Sequence, residues 1–139
     1  MLRSGAVYRI VNAKSGTALD LSGTDERSII GWPKHDGDNQ KWHVEENNGL
    51  YSLRNVRYGK YVGLESTHLK DAIKAIATEN KFDWEVKQDE DDPTVFRFFV
   101  PGTVFNLDLS NHGSDRGGTP VEIWGKWEGR NQCWRLEQL

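Results

Sequence analysis

A short phrase ending in tryptophan occurs three times in this chain of 139 residues, twice in full and once in degraded form. Asn39-Gln40-Lys41-Trp42 recurs as Asn131-Gln132-Cys133-Trp134. Lys81-Phe82-Asp83-Trp84 lies between them and keeps only the final tryptophan. Each copy leads into an apolar strand end, so the phrase marks the same place in three repeated units. The sequence therefore predicts a threefold internal repeat whose copies have diverged unequally.

Three alternating apolar segments precede the tryptophan in every unit, which gives about four short strands per unit and about twelve in all. The segments are 7–10, 18–21 and 29–32, then 50–53, 61–64 and 73–77, then 95–98, 105–109 and 121–124. A propeller needs at least about four such units to close, whereas three units can close as a barrel capped by hairpins. The pattern predicts an all-β, pseudo-threefold β-trefoil. One domain is expected over residues 1–139, with repeats over about 5–47, 48–92 and 93–139.

The composition argues against several classes of function. The net charge is −3 and the pI is about 5.8, so no overall basic footprint for nucleic acid is present. No apolar signal segment or membrane span is evident, which predicts a cytoplasmic protein without membrane insertion, released on tissue damage. Cys133 is the only cysteine, so the fold is not expected to depend on a disulfide. The acidic run that starts at Asp89 is expected to be a solvated connector between the second and third units.

The first and third units share polar and aromatic residues that the middle unit lacks. The shared pairs are Asp20 with Asp108, Trp32 with Trp124, Asn39 with Asn131, and Gln40 with Gln132. The asparagine follows the tryptophan by seven positions in both units. In the middle unit Gly63 stands at the aspartate position, the tryptophan position falls near Ala77, and Lys81-Phe82 replaces the Asn-Gln pair. The middle unit is therefore expected to keep the residues of the fold and to lack a second, functional set.

An aspartate, a tryptophan and an asparagine together suit a sugar. A pyranose has an apolar C–H face that packs on a flat indole ring, and a rim of hydroxyl groups. An ionised carboxylate accepts hydrogen bonds from two adjacent hydroxyls, each contributing about 1.5–3 kcal/mol when shielded from water. The asparagine amide can donate to a hydroxyl and also accept, and the glutamine could brace the carboxylate from behind. An aromatic platform with convergent polar groups is typical of a small-ligand site.

The repeated Gln-x-Trp triplet with an upstream aspartate and tryptophan resembles the ricin B-type (R-type) lectins. The resemblance is closest to the small single-domain lectins of mushrooms and other fungi; segments 13–23 and 37–42 are similar to theirs, and the likeness covers essentially the whole chain. It implies a β-trefoil that binds glycans ending in galactose or N-acetylgalactosamine, without a cofactor and without catalysis. It further implies agglutination through two sites, a defensive role, and a tendency of relatives to form homodimers.

The resemblance also assigns residues to each site. In such lectins the aspartate binds the 3- and 4-hydroxyls, the aromatic ring stacks on the sugar, and the asparagine assists at the 3-hydroxyl. The first site would contain Asp20, Trp32, Asn39 and Gln40, with Gly23 and His35 on its rim. The second would contain Asp108, Trp124, Asn131 and Gln132, with Asn111 and Trp127 on its rim. The middle unit is expected to bind no sugar.

Structural roles are alternatives for the same residues. The paired tryptophans of the first and third units could fill the core, the aspartates could cap turns, and the asparagines could shape turns beside neighbouring glycines. Loss of the paired tryptophan from the middle unit argues against a core role. Trp42, Trp84 and Trp134 persist in all three units, which predicts that they form the core.

Other functions fit the sequence less well than sugar binding. Asp20 and Asp108 belong to different units, so they are expected to lie farther apart than the ~10 Å that a glycosidase pair allows. The four histidines show no metal-ligand spacing, so no metal site is expected. A β-trefoil can also serve as a protease inhibitor or protein-binding module that docks one loop into a partner. Such a protein has no reason to keep the same Asp-Trp-Asn set twice, and this favours the lectin.

Overall fold

The computed structural model describes residues 2–139, which form twelve short strands joined by tight turns. The strands are β1 (Val7–Asn12), β2 (Ala18–Leu21), β3 (Ile29–Trp32), β4 (Trp42–Asn47), β5 (Leu50–Asn55), β6 (Tyr61–Leu64), β7 (Ala75–Thr78), β8 (Glu85–Gln88), β9 (Phe96–Phe99), β10 (Phe105–Leu109), β11 (Thr119–Gly125) and β12 (Trp134–Gln138). Single 3-10 turns cover Asp38–Gln40 and Arg130–Gln132, and α1 (Ser110–Gly113) is one turn. None of the helices within residues 2–139 has the length and apolar character needed to cross a membrane.

Six of the strands close a barrel. β1 pairs with β4 and β12, β4 with β5, β8 with β9, and β9 with β12. A single bridge between Tyr51 and Trp84 joins β5 to the segment leading into β8 and completes the ring. The other six strands form three hairpins, β2–β3, β6–β7 and β10–β11. This is the β-trefoil predicted from the repeats, with four strands in each unit.

Trp42, Trp84 and Trp134 occupy equivalent places in the core and are fully buried. Their indole N–H groups donate to backbone carbonyls: Trp42 to Leu19 at 3.0 Å, Trp84 to Val62 at 2.9 Å, and Trp134 to Leu107 at 3.3 Å. Each bond ties the final tryptophan of a unit to the hairpin of that unit and satisfies a polar group that burial would otherwise penalise. The prediction that these three residues form the core is confirmed.

The second strand of the middle hairpin departs from its predicted bounds. Its second strand, β7, spans Ala75–Thr78 rather than residues 73–77. Three cross-strand pairs are equivalent: Trp32 with Ala18, Thr78 with Tyr61, and Trp124 with Asn106. Thr78, the residue next to Ala77, therefore occupies the tryptophan position, which the sequence placed near Ala77. Apolar alternation does not fix where a strand begins and ends, and backbone pairing with β6 decides this.

The acidic connector is not fully solvated, contrary to the prediction. Asp89 is largely buried, and its Oδ1 accepts a 2.8 Å hydrogen bond from Nε of Arg97, which is buried in β9. Its Oδ2 accepts from the backbone N–H groups of Asp91 and Asp92. A buried guanidinium needs a charged partner, and Asp89 supplies it. The charge run therefore contains a structural anchor that composition alone did not reveal.

Candidate functional site

The first candidate site is built around Asp20 in β2. Asp20 is buried, and its Oδ2 accepts a 3.0 Å hydrogen bond from Nε2 of Gln40. Gln40 Nε2 also donates to the carbonyl of Pro33 at 3.0 Å, and its Oε1 accepts from the backbone N–H of His35 at 2.9 Å. Three hydrogen bonds thus fix the glutamine, and the glutamine in turn orients the carboxylate. An ionised carboxylate held in this way can still accept further hydrogen bonds from a ligand.

Trp32, at the end of β3, gives this site an exposed aromatic surface. The side chain is 43% exposed, so the alternative core role is wrong. Gly117, from the loop between β10 and β11, lies so close to the ring that an added Cβ would come 3.0 Å from it. A cavity of about 250 Å³ lies beside the tryptophan. Its lining consists of Asp20, Ser22, Gly23, Thr24, Ile30, Trp32, His35 and Asn39.

Polar contacts hold Asn39 and His35 at the same cavity. The Asn39 side chain donates to the last carbonyl of β2 at 3.3 Å. The backbone carbonyl of Asn39 accepts from Nδ2 of Asn55 at 2.9 Å. Nε2 of His35 lies 4.0 Å from Oδ2 of Asp20, so a protonated His35 places a positive charge beside the carboxylate. The backbone N–H of Gly37 donates to Nδ1 of the same ring at 2.8 Å. An added Cβ on Gly37 would overlap that ring, so only glycine permits this contact.

The third unit repeats the arrangement around Asp108 in β10. Asp108 is buried, and its Oδ2 accepts a 2.9 Å hydrogen bond from Nε2 of Gln132. Gln132 also donates to the carbonyl of Gly125 at 3.1 Å and accepts from the backbone N–H of Trp127 at 3.1 Å. The Asn131 side chain donates to the last carbonyl of β10 at 3.1 Å. Each of these bonds has its counterpart in the first unit.

Two tryptophans border the third-unit site, where the first has one. The exposed fractions are 39% for Trp124 and 45% for Trp127. Trp127 stands at the position of His35, and its ring meets the His112 ring edge-on, with centroids 6.3 Å apart. Gly129 leaves room for the Trp127 ring, because an added Cβ there would overlap it. The cavity measures about 600 Å³ and is lined by Asp108, Ser110, Asn111, His112, Pro120, Glu122, Trp124, Trp127 and Asn131.

Burial raises the pKa of both Asp20 and Asp108 above the usual carboxyl range. Hydrogen bonds and a neighbouring histidine oppose this rise at each site. The contributing groups are Gln40, His35 and Asn39 at the first site, and Gln132, Trp127, His112 and Asn131 at the third. The two carboxylates are therefore partly desolvated and braced by donors. In such surroundings a hydrogen bond from a ligand is stronger than it would be in water.

Arg97 supports the third-unit site and was missed in the sequence. Its Nη1 donates to Oε1 of Gln132 at 2.9 Å, while its Nε bonds to Asp89. The guanidinium thus connects the buried acidic anchor to the glutamine that braces the site. A signal for this role exists in the sequence, because Arg9 and Arg97 occupy the same position in the first and third units, whereas the middle unit has Ser52.

The middle unit has a cavity at the equivalent place, and that cavity lacks a carboxylate. A Cβ added to Gly63, at the aspartate position, would come 2.7 Å from the Thr78 side chain. Phe82 replaces the bracing glutamine and stacks on Trp84, with centroids 4.6 Å apart. The cavity, about 480 Å³, is lined mainly by apolar groups and by no charged side chain. It offers no counterpart to the carboxylate that accepts hydroxyl hydrogen bonds.

The structure brings the predicted site residues together in two separate places. Asp20, Gly23, Trp32, His35 and Asn39 line the first cavity, and Asp108, Asn111, Trp124, Trp127 and Asn131 line the third-unit cavity. Gln40 and Gln132, predicted among the binding residues, are fully buried, so they act on a ligand only through the carboxylates. The two cavities share no lining residue. Within residues 2–139, no group of three or more His, Cys, Asp or Glu side chains is placed to hold a metal ion.

Several lining residues were not predicted. They are Ser22, Thr24 and Ile30 in the first cavity, and Ser110, His112, Pro120 and Glu122 in the third-unit cavity. Most of them differ between the two units, and a comparison of repeats finds only what the repeats share. His112 has a left-handed backbone conformation with φ of 54°, as has Asn111 with φ of 53°. This turn follows the end of β10, and no similar sequence occurs at the same place in the other two units.

The chain is similar to proteins of one family. A family profile described as "Ricin-type beta-trefoil lectin domain-like" matches residues 2–74 and 38–124. A Macrolepiota procera ricin B-like lectin in complex with lactose is 42% identical, with a TM-score of 0.97 over 100% of this chain and 99% of that chain. The Rhizoctonia solani agglutinin is 25% identical, with a TM-score of 0.87 over 100% and 99% of the two chains. No curated protein sequence matches the chain.

A designed protein with threefold symmetry, ThreeFoil, is also similar, at 26% identity and a TM-score of 0.85 over 96% of this chain and 99% of that chain. The profile match covers most of the chain, and the Macrolepiota lectin matches all of it. The resemblance to ricin B-type lectins drawn from the repeated Gln-x-Trp phrase is confirmed. The chain belongs to the ricin-type β-trefoil lectin family, a class of carbohydrate-binding proteins.

Proposed function

We propose that this protein binds terminal galactose or N-acetylgalactosamine through two sites, one around Asp20 and one around Asp108. The observation that carries the proposal is the duplicated arrangement of a buried, glutamine-braced aspartate beside an exposed tryptophan. The middle unit keeps the same strands and core tryptophan but lacks the aspartate. Recurrence of the same aspartate, glutamine and tryptophan on one scaffold supports one class of ligand, a galactoside, at both sites.

Each constellation suits one face and one edge of a galactose ring. Adjacent 3- and 4-hydroxyls can donate to the two oxygens of a single carboxylate, in hydrogen bonds strengthened by its charge. The exposed face of Trp32 or Trp124 can pack against the C–H groups on the opposite side of the ring. The amide of Asn39 or Asn131 lines the same cavity and is placed to assist at a hydroxyl. The carboxylate and the tryptophan would thus hold two different sides of the same sugar.

A relative supports the choice of sugar. The Macrolepiota procera lectin, 42% identical over the whole chain, was solved in complex with lactose, a disaccharide that ends in galactose. The proposal extends that ligand class to this protein, where Asp20 and Asp108 would take the vicinal hydroxyls. The function of a relative does not by itself say where a ligand binds. The two glutamine-braced carboxylates support the assignment of the sites to Asp20 and Asp108.

Two sites on one chain would allow cross-linking of glycans. One shallow site is expected to bind a monosaccharide with a Kd around millimolar, which corresponds to about 4 kcal/mol. Simultaneous engagement of two glycans on one surface raises the effective affinity by roughly 10²–10⁴-fold. The partners would be glycoproteins or glycolipids on cell surfaces. Agglutination would follow, and with it a defensive role against animals that consume the producer.

Agglutination of galactose-coated beads tests the proposal. We expect aggregation of these beads by the wild type, reversal by free lactose, and no aggregation of mannose-coated beads. The variant with both Asp20→Asn and Asp108→Asn should leave the galactose-coated beads dispersed. Inhibition of a protease by the wild type that excess lactose does not relieve, together with dispersed beads, would instead support the alternative of a β-trefoil that binds proteins.

A further inference from the structure

The two candidate sites differ most at the residue that faces the aspartate across the hairpin. Asp20 in β2 pairs directly with Ile30 in β3. Asp108 in β10 pairs directly with Glu122 in β11. Both partners line their cavities, so the first has an apolar wall at the place where the third-unit cavity has a second carboxylate. Like charges placed directly opposite each other on an antiparallel pair repel, and this geometry therefore needs a compensating charge.

The protein supplies one cation next to Glu122, because Lys74 forms a backbone bridge with it, but their side chains form no ion pair. Glu122 is partly buried and takes part in no ion pair within residues 2–139, and the same holds for Asp108. Burial first, and then the negative charge of Asp108, raise the pKa of Glu122; Lys74 opposes this rise and Asp71 adds to it. His112 is the basic side chain that opposes the rise in the pKa of Asp108, and it is exposed to solvent.

The floor of the third-unit cavity contains further unpaired polar atoms. Oδ1 of Asn131 and Oγ of Ser110 are buried and have no hydrogen-bond partner. Asn131 is only 2% exposed, and both residues line the cavity together with Asp108 and Glu122. Two carboxylates thus line one space, and two of the other lining residues carry a buried polar atom without a partner. A ligand that complements this set must bring several hydrogen-bond donors and a positive charge.

The first site has the opposite character. Nε2 of His35 lies 4.0 Å from the Asp20 carboxylate, and Ile30 contributes no charge. In the third unit, Trp127 stands where His35 stands in the first, so this compensating imidazole is absent there. A cationic ligand would meet one carboxylate beside an imidazole and an apolar wall in the first cavity, and two carboxylates in the third.

We propose that the third-unit site selects galactosides that carry a protonated amine, with Glu122 as the residue that determines this preference. An ammonium group has three N–H donors and no acceptor, which matches the acceptor-rich space between Asp108 and Glu122. The proposal rests on the proposed function, because the same Asp108 would hold the vicinal hydroxyls of the sugar. It makes the two sites different in ligand chemistry, one for neutral galactosides and one for amino galactosides.

Titration of isolated sites tests the proposal. The Asp20→Asn variant leaves only the third-unit site, and the Asp108→Asn variant leaves only the first. Each is titrated with galactose, N-acetylgalactosamine, 2-amino-2-deoxygalactose and 6-amino-6-deoxygalactose, at a pH where both amines are protonated. The two amino sugars place the charge on different sides of the ring. We expect the third-unit site to bind one of them about three- to tenfold more tightly than galactose, and the first site to show no such gain.

Two reciprocal substitutions separate charge from shape. Glu122→Gln keeps the size of the side chain, and should lower the ratio of amino-sugar affinity to galactose affinity at the third-unit site to about one. Ile30→Glu places the same carboxylate opposite Asp20, and should create a preference for the amine in the first site. Added salt should weaken the preference at the wild-type third-unit site and at the first site of Ile30→Glu.

The outcomes distinguish the two levels of the proposal. If neither site binds galactose or N-acetylgalactosamine, the proposed function fails. If both sites bind galactose and neither amino sugar gains at the third-unit site, the inference about Glu122 is overturned while the proposed function stands. Retention of the amine preference in Glu122→Gln would likewise overturn it, since the preference would then come from Asp108 alone.

Discussion

Nε2 of Gln132 donates a 2.9 Å hydrogen bond to Oδ2 of Asp108, a residue that precedes it by 24 positions. The bond joins the turn before the last strand to the hairpin of the same unit. Gln40 and Asp20 form the same bond at 3.0 Å in the first unit. A buried carboxylate is costly unless donors hold it, and this glutamine supplies the fixed donor. The Gln-x-Trp phrase therefore links the core tryptophan to the chemistry of the site.

Removal of this brace should weaken one site and spare the other. The Gln132→Met variant loses a hydrogen bond to a charged group, which contributes about 1.5–3 kcal/mol, so lactose affinity at the third-unit site should fall about tenfold or more. Calorimetric titration in the Asp20→Asn background measures this site alone. Gln40→Met in the Asp108→Asn background is the matched variant for the first site. Unchanged affinity in both would show that the carboxylates do not need their glutamines.

The exposed and buried tryptophans should respond differently to substitution. Trp124→Ala should change the unfolding free energy by less than about 1 kcal/mol but remove most lactose binding at the third-unit site, because Trp124 lies on the surface. Trp134→Phe should cost about 2–3 kcal/mol, because it leaves a small cavity and an unpaired carbonyl at Leu107. Urea denaturation and lactose titration of both variants check this contrast. A large loss of unfolding free energy in Trp124→Ala would show that Trp124 contributes to the core.

Arg97 should act as a positioning residue for the third-unit site. Arg97→Met leaves Asp89 buried without its partner, which should lower the unfolding free energy by about 3 kcal/mol. It also removes the donor to Gln132, so lactose affinity should fall at the third-unit site and stay constant at the first. Arg9→Met is the control, because the acidic partners of Arg9 are more exposed and that pair should contribute at most about 1 kcal/mol. Equal loss of affinity at both sites would indicate a general effect on folding.

Sugar binding should disappear on acidification before the fold does. Burial raises the pKa of Asp20 and Asp108, so these carboxyls become protonated at a higher pH than ordinary aspartates and lose their acceptor charge. Because the native state holds these protons more tightly than the unfolded state, their protonation adds to stability as the pH falls. Asp89 has a lowered pKa, and its contribution to stability is lost only as the pH falls through that lower value.

Lactose titration and tryptophan fluorescence over a series of falling pH values measure these two events separately. The account predicts loss of binding while the fluorescence of the buried tryptophans is still native. Binding that persists until the protein unfolds would show that the ionised forms of Asp20 and Asp108 are not required.

The sequence was most informative where the repeats agree. Trp42, Trp84 and Trp134 occur in all three units and form the core, while Trp32 and Trp124 occur in two and lie at the surface. A threefold scaffold imposes the same packing on every copy, so a residue absent from one copy is free of that demand. Comparison of the three copies within this one sequence therefore distinguished the residues of the core from those of the candidate sites.

Residues that belong to one unit could not be found in this way. Glu122 has no counterpart in the first unit, and its position opposite Asp108 depends on the register of β10 and β11. The role of Asp89 depends on Arg97, eight residues away on the next strand, and a run of charges gives no sign of such a contact. The bounds of β7 were likewise not predicted, because alternation fixes the face of a side chain but not where pairing begins and ends. Contacts between separate segments of the chain decide all three features.

Calorimetric titration with lactose and N-acetylgalactosamine tests the central claim most directly. It compares the wild type with Asp20→Asn, Asp108→Asn and the double variant. The account predicts two sites per chain in the wild type, one in each single variant and none in the double variant, with all four proteins equally folded. Heat of binding that survives in the double variant, or no binding of any galactoside by the wild type, would contradict the assignment of these two aspartates as the centres of two galactose sites.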